Sequence, residues 1–156
     1  MIGRRIEAVT GTLDLSDKAD CRGSEFQDPG GFGWMRLEGG LMASVDAANQ
    51  AVTRPQIVLH GSKGMAITGT QDVHLEYADG TSETWEEPHR DRTSMDQAVA
   101  EIVAALDGTA SFPHSARESV EILEAITAFH LSHAVNAAWI ELPLTTEQRS
   151  FEVRSA

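Results

Sequence analysis

The residues best suited to chemistry lie in one charged stretch, His89-Arg90-Asp91-Arg92, with Trp85 shortly before it. The stretch combines cationic hydrogen-bond donors with an imidazole, which titrates near neutral pH, beside an aromatic ring. Such a group can hold a polar small molecule, and we therefore expect substrate to be bound by Trp85, His89, Arg90 and Arg92. The alternative is that the stretch is a solvated charged loop in front of a helix.

The remaining histidines and the one cysteine predict neither a catalytic residue nor a metal site. His130 and His133 are three residues apart in a helical pattern and therefore share one helix face. Zinc would need a third and a fourth ligand, and no nearby cysteine or aspartate pattern supplies them. We expect these histidines to lie on a partly buried or interfacial helix face. Cys21 lies in a hydrophilic segment with nothing to lower its pKa, and no Gly-x-Ser-x-Gly elbow occurs.

Two glycine clusters are the places to look for a phosphate-binding loop. They are Gly30-Gly31-Phe32-Gly33 and Gly61-Ser62-Lys63-Gly64. A dinucleotide-binding turn follows a strand and opens a helix, so that the pyrophosphate meets the helix N-terminus. The first cluster precedes a predicted strand and the second connects two predicted strands. We expect both clusters to be turns and neither to bind a cofactor.

Composition excludes several classes of function. The 156 residues carry 24 acidic and 12 basic side chains, a formal net charge of −12. This surplus opposes binding to nucleic acid and to anionic membrane surfaces. The sequence has no apolar run long enough to span a bilayer and no signal-peptide pattern. A single cysteine gives no sign of an oxidising compartment, so we expect a soluble cytoplasmic protein without nucleic-acid or membrane partners.

The elements that position these residues change type along the chain. Apolar alternation and turn residues, above all Asp79-Gly80, predict consecutive hairpins in the first half. The predicted strands cover 5–15, 32–38, 41–49, 57–60, 65–68, 73–77 and 81–86, with a return strand at 139–142. Consecutive hairpins build an antiparallel sheet that can leave one face open.

The last third has helical periodicity. Capping boxes at Ser94–Gln97 and Ser115–Glu118 predict two helices, the second running to about Ala138. The fold class is α+β: a predominantly antiparallel (mixed) open sheet of about six to eight strands, with two C-terminal helices packed on one face. We expect a single domain over residues 1–144 and a loose polar tail over 145–156.

One strand of this sheet has a conspicuous alternation. Phe32 and Trp34 share a strand face with Arg36 and Glu38. Exposed aromatic positions on an open sheet face would favour a symmetric dimer. The alternative is that these side chains face the helices, and the alternation by itself does not distinguish the two.

Several motifs, taken in order, resemble the C-terminal domain of the Gfo/Idh/MocA oxidoreductases. The segment 57–67 resembles that family's strand–"G-x-K-G"–strand hairpin, and 33–49 resembles its paired strands. The segments 115–120 and 128–132 resemble its closing helix, and Ile140-Glu141-Leu142-Pro143-Leu144 resembles its "V-x-L-P" ending. The likeness covers about residues 5–144. His133 and Asn136 depart from the family pattern, which has a small residue and a glycine at these places.

The resemblance implies a substrate-pocket and oligomerisation domain of an NAD(P)-dependent sugar or cyclitol dehydrogenase. It implies a homo-oligomer formed through the open sheet face and a small-molecule substrate. The sequence contains no "E-K-P" motif and no Gly-rich dinucleotide turn. We therefore expect the Rossmann domain to be lacking, and NAD or NADP and the hydride transfer to belong to the full-length protein. The alternative is a stand-alone, non-catalytic binding or dimerisation module of the same fold.

Overall fold

A computed structural model of the chain describes residues 3–14, 30–47, 56–69, 72–86, 93–112, 115–151 and 153. The chain divides into two compact units, one formed by Met1–Ala51 and His114–Ala156, the other by Val52–Pro113. The strands are β1 (Ile6–Asp14), β2 (Gly30–Leu37), β3 (Leu41–Ala47), β4 (Val58–Gly61), β5 (Gly64–Thr68), β6 (Asp72–Tyr77), β7 (Ser82–Glu86) and β8 (Ile140–Glu141). The helices are α1 (Ser94–Leu106), α2 (Ala116–Ala134) and α3 (Thr146–Arg149).

The predicted α+β class and the antiparallel pairing are confirmed. The described strands form two sheets of four, however, where the sequence predicted one open sheet: β3-β2-β1-β8 in the first unit and β4-β5-β6-β7 in the second. α2 packs against β1 of the first sheet, whereas α1 belongs to the second unit. The single domain over 1–144 stays a prediction. None of the described helices combines the length and the hydropathy needed to cross a membrane.

The core of the first unit lies between α2 and one face of its sheet. Val9 and Ala128 are fully buried there, together with Ala125 and Leu144. The small alanines let the helix approach the strands closely, since packing in a protein core leaves few voids. Phe129 packs against the same cluster.

Glycines provide the room for the Phe129 ring. Gly11 of β1 and Gly33 of β2 are directly paired across the strands. A β-carbon on Gly11 would lie 2.8 Å from Phe129 Cδ1, and one on Gly33 would overlap the same ring. The Gly30–Gly33 cluster is therefore part of strand β2, and its prediction as a turn is wrong. These glycines fit in a strand because their lack of a side chain leaves room for the Phe129 ring. That ring belongs to a distant helix, so the local sequence does not reveal it.

The second unit contains the predicted hairpins. Gly61–Gly64 forms the turn between β4 and β5, as predicted. Gly80 has a φ of 85° in the turn between β6 and β7, where Asp79 Oδ1 accepts the Thr81 N–H at 2.9 Å. Glycine and asparagine tolerate this left-handed conformation best. Among the described residues of this unit none is buried, so its strands and α1 leave much apolar surface exposed.

The helix ends differ in part from the predictions. The N-cap of α1 is Thr93, whose hydroxyl accepts the Asp96 N–H at 3.1 Å, so the predicted box at Ser94 and Gln97 is displaced by one residue. Gln97 instead donates to Glu101 along the helix. The predicted box of Ser115 with Glu118 at the start of α2 is confirmed.

The C-terminal end of α2 comes earlier than predicted. The helix ends at Ala134 because Asn136 and Ala137 have left-handed φ values of 57° and 59°, which no right-handed helix continues. The predicted loose tail also begins with structure, since α3 is capped by Thr145. Arg149 of α3 forms an ion pair of 2.6 Å with Glu124 of α2. These contacts hold the first part of the tail against α2.

Candidate functional site

The predicted substrate site is described at one of its four residues. Trp85 lies near the end of β7, a strand at the edge of the second sheet, and its side chain is 58% exposed. It is paired with Val73 of β6. His89, Arg90 and Arg92 lie outside the described residues, as does Cys21. Binding of a substrate by the four residues stays a prediction.

The first sheet presents an aromatic face on the side opposite α2. Phe32 and Trp34 are 44% and 53% exposed, whereas Gly33 between them lies under the Phe129 ring. Side chains alternate along a strand, so Phe32 and Trp34 point away from the helix. The alternative that these side chains face α2 is therefore wrong, and the dimer stays a prediction. We call the surface that contains Thr10, Thr12, Phe32, Trp34, Met42 and Ser44 the open face.

A charged network lies at one end of the open face. Arg36 Nη2 donates to both carboxylate oxygens of Glu141, at 2.9 and 2.7 Å, and its Nε lies 3.7 Å from Glu7. The guanidinium also stacks over Trp139, 5.8 Å from the ring centroid. The charged groups are all partly exposed, so each ion pair contributes little to stability. The network instead fixes the direction of the guanidinium.

Side chains of α2 close the edge of β1 where β8 stops. β8 is paired with β1 only at Ala8 and Val9. Beyond that point Gly11 N–H donates to Ser132 Oγ at 3.0 Å, and Leu13 N–H donates to His133 Nδ1 at 3.1 Å. Ser132 is fully buried. Two consecutive side chains at the end of α2 therefore occupy amides that another strand would otherwise bind.

The turn after α2 is tied to the same place. Ser132 Oγ donates to the carbonyl of Ala138 at 2.7 Å. Thr10 Oγ1 donates to the carbonyl of Ala137 at 2.5 Å. These bonds hold the left-handed residues of the turn against β1. Strained backbone of this kind persists only where surrounding contacts determine it.

The two histidines of α2 lie on a partly buried helix face, as predicted. Burial lowers the pKa of His130, and the positive charge of a protonated His133 lowers it further. His133 accepts a backbone N–H at Nδ1, so in that bond its proton is on Nε2. Within the part of the chain that the structure describes, no three histidine, cysteine, aspartate or glutamate side chains come together to hold a metal.

The two glycine clusters and the N-termini of the two longer described helices do not fit a dinucleotide. One glycine cluster lies inside a strand and the other joins two strands, so neither opens a helix. The N-termini of α1 and α2 are occupied by the carboxylates of Asp96 and Glu118. A pyrophosphate at either place would therefore meet a negative charge.

Family models and curated protein sequences give no match to this chain. Solved structures do match. An aldose-aldose oxidoreductase from Caulobacter crescentus, solved with glycerol, is 16% identical with a TM-score of 0.70, over 90% of this chain and 42% of that one. The WlbA dehydrogenase from Bordetella pertussis, solved with NADH and UDP-GlcNAcA, is 18% identical with a TM-score of 0.56, over 90% of this chain and 41% of that one.

This chain shares its fold with oxidoreductases. The resemblance seen in the sequence is thereby confirmed at the level of the fold. The chain spans less than half the length of the oxidoreductase chains that it matches. The fold of this chain therefore matches one part of each of those chains.

Sequence reasoning missed the residues that join β1 to α2. Ser132, Thr10 and the pairing of Arg36 with Glu141 were not singled out, because their partners are more than 100 residues away in the chain. The available signal was the departure of His133 and Asn136 from the family pattern. Both departures fall at the junction with β1.

Proposed function

We propose that this chain is the substrate-pocket and oligomerisation domain of a Gfo/Idh/MocA-type oxidoreductase acting on a sugar or cyclitol. The observation that carries the proposal is the fold shared with oxidoreductases over about nine tenths of this chain and less than half of theirs. Hydride transfer to NAD or NADP belongs to another part of the full-length protein. The assignment is supported by the two glycine clusters and the capped N-termini of α1 and α2, which do not fit a dinucleotide.

The oligomerisation role rests on the open face. Phe32, Trp34 and Met42 are each about half exposed on a single sheet surface that α2 does not cover. Aromatic residues and methionine are enriched at protein interfaces. Ser44 lies across the strands from Trp34 and adds a hydroxyl to the same surface. The proposed partner is a second copy, which would cover the same patch reciprocally.

Replacement of Trp34 tests the interface. We expect the native chain to be a dimer by light scattering and Trp34→Asp to be a monomer at the same concentration, because a carboxylate would be desolvated between the faces. Trp85→Asp is the matched control, since Trp85 is equally exposed but lies in the second sheet. A native chain that is monomeric at high concentration contradicts the interface, as does equal dissociation of both variants.

The substrate role rests on the charged stretch that the sequence singled out. In the full-length protein we expect His89→Ala and Arg90→Ala to raise KM or lower kcat by about tenfold, because cationic donors orient a polyhydroxylated substrate. Arg117→Ala is the matched control, since Arg117 is highly exposed on α2 and pairs with Glu121 one turn away. Unchanged kinetics in the first two variants remove this stretch from the substrate site.

A stand-alone dimerisation module is the second candidate. It rests on the same exposed open face as the oligomerisation role, and activity of the full-length protein distinguishes the two. Dehydrogenase activity of the full-length protein excludes the second candidate. Dimerisation without NAD(P)-dependent activity, in a full-length protein tested on sugars and cyclitols, excludes the first.

A further inference from the structure

The hydrogen bond between β1 and His133 depends on the protonation state of the imidazole. Leu13 N–H donates to Nδ1 at 3.1 Å, and Thr12 Oγ1 lies 3.1 Å from the same nitrogen. A ring nitrogen accepts a hydrogen bond only while it carries no proton. The strand fixes the direction of the Leu13 N–H, so this amide cannot rotate towards another acceptor.

We propose that His133 is a proton-operated clasp that holds the end of β1 against α2 only while its Nδ1 is unprotonated. When a proton from solvent adds to Nδ1, the new Nδ1–H points at the Leu13 N–H. The hydrogen bond from Leu13 to His133 is then lost. The Thr12 hydroxyl can then rotate and accept from Nδ1, so the ring keeps a partner while the backbone amide is released.

The groups around His133 set how the clasp responds. From α2, His130 lies one turn before it, and the two rings repel each other when both are charged. From β1, Thr12 and Leu13 present a hydroxyl and an amide, both uncharged. The carboxylates of that strand are Asp14, which follows Leu13, and Glu7, which lies at the other end beside Arg36. Asp14 is therefore the carboxylate of β1 next to Leu13 in the chain, and His130 is the titratable group one turn away on α2.

Release is expected to be local. Leu13 and Asp14 remain paired with Gly31 and Gly30 on the other side of β1, so the strand stays in the sheet. Gly11 is held by Ser132, whose hydroxyl does not titrate in this range. The Leu13 amide should open on acidification while the Gly11 amide does not. This difference separates a clasp from general acid unfolding.

Amide hydrogen exchange measured by NMR between about pH 8 and pH 5, the range in which histidine is the side chain that switches charge, tests the clasp. After correction for intrinsic exchange, we expect the protection of Leu13 to fall about tenfold or more, as for the loss of one net hydrogen bond. Protection of Gly11 should stay constant. The matched variant is His133→Asn, whose Oδ1 can accept the same amide without titrating and should keep Leu13 protected throughout.

Two further measurements separate the alternatives. His130→Gln should preserve the response of Leu13, so a response that vanishes in this variant assigns the sensor to His130 and overturns the proposal. A native Leu13 profile identical to that of His133→Asn also overturns it. Nitrogen chemical shifts of the native ring do not depend on any variant folding. They should show the proton on Nε2 at pH 8, and a proton on Nδ1 would contradict the clasp.

Discussion

At the scale of single residues, the junction of β1 with α2 depends on one hydroxyl. Ser132 accepts from Gly11 and donates to Ala138 in a fully buried place. We expect Ser132→Ala to lower the free energy of unfolding by about 1–3 kcal/mol, because both backbone groups lose their partner. Urea denaturation of the native chain and of the variant measures this difference in the free energy of unfolding. Ser119→Ala, at an exposed position of the same helix, should change stability by less than about 0.5 kcal/mol, and equal losses would refute the role of Ser132.

A glycine substitution should stabilise the turn after α2, whereas the same substitution in the helix should destabilise it. Ala137 has a φ of 59°, a conformation that costs a residue with a β-carbon roughly 1 kcal/mol. Ala137→Gly should therefore raise the thermal midpoint, even after the entropy that glycine loses on folding. Ala134→Gly, three residues earlier and still helical, should lower it. A lower midpoint for both variants would contradict the left-handed turn.

At the scale of elements, the distance between α2 and the first sheet is set by an aromatic ring over two glycines. A β-carbon on Gly11 would lie 2.5 Å from the carbonyl oxygen of Phe32 and 2.8 Å from the ring of Phe129. We expect Gly11→Ala to destabilise the chain by about 1–3 kcal/mol or more, since overpacking forces strands and helix apart. Thermal unfolding followed by circular dichroism measures the loss.

The matched control is Gly61→Ala. A β-carbon there meets only the carbonyl oxygen of Gly64, at an ordinary 3.5 Å. The strand conformation of Gly61 suits alanine, so little change is expected. If the two variants unfold at the same temperature, the ring does not set the spacing of the helix and the sheet.

Hairpins and helix periods were predictable because their determinants are neighbours in the chain. Asp79-Gly80 specifies its own turn, and Ser115 with Glu118 specifies the start of α2. The start of α1 was ambiguous by one residue, because Thr93–Asp96 and Ser94–Gln97 both fit a capping box. Only the extended conformation of Thr93 selects the first.

The grouping of strands and the site contacts could not be predicted for the opposite reason. In the sequence, Gly30–Gly33 looks like a turn. In the structure it belongs to a strand, because the ring of Phe129, about 100 residues later, packs on Gly33. The contacts of Gly11 with Ser132 and of Arg36 with Glu141 likewise join distant parts of the chain. The alternation of Phe32 and Trp34 was visible in the sequence. The face that it occupies was not, because two faces of a strand are equivalent until a helix covers one.

At the scale of the whole molecule, we expect the 156-residue chain not to bind NADH. Its net charge is −12, and its longer described helices have carboxylates at their N-termini. Titration with NADH, followed by tryptophan fluorescence and corrected with free N-acetyltryptophanamide, should show no saturable quenching. Saturable binding in the micromolar range would contradict the assignment of the cofactor to another part of the full-length protein.

The closed edge of β1 also has a consequence for unwanted assembly. Unpaired edge amides are templates on which a foreign strand can add. Ser132 and His133 block two such amides, so a strand approaching from this side would have to displace the end of α2. If acid opens the clasp, the Leu13 amide becomes one more docking point for an incoming chain. By occupying the Leu13 amide, His133 would thus also hinder the addition of a foreign strand, and this hindrance would be lost whenever its Nδ1 carries a proton.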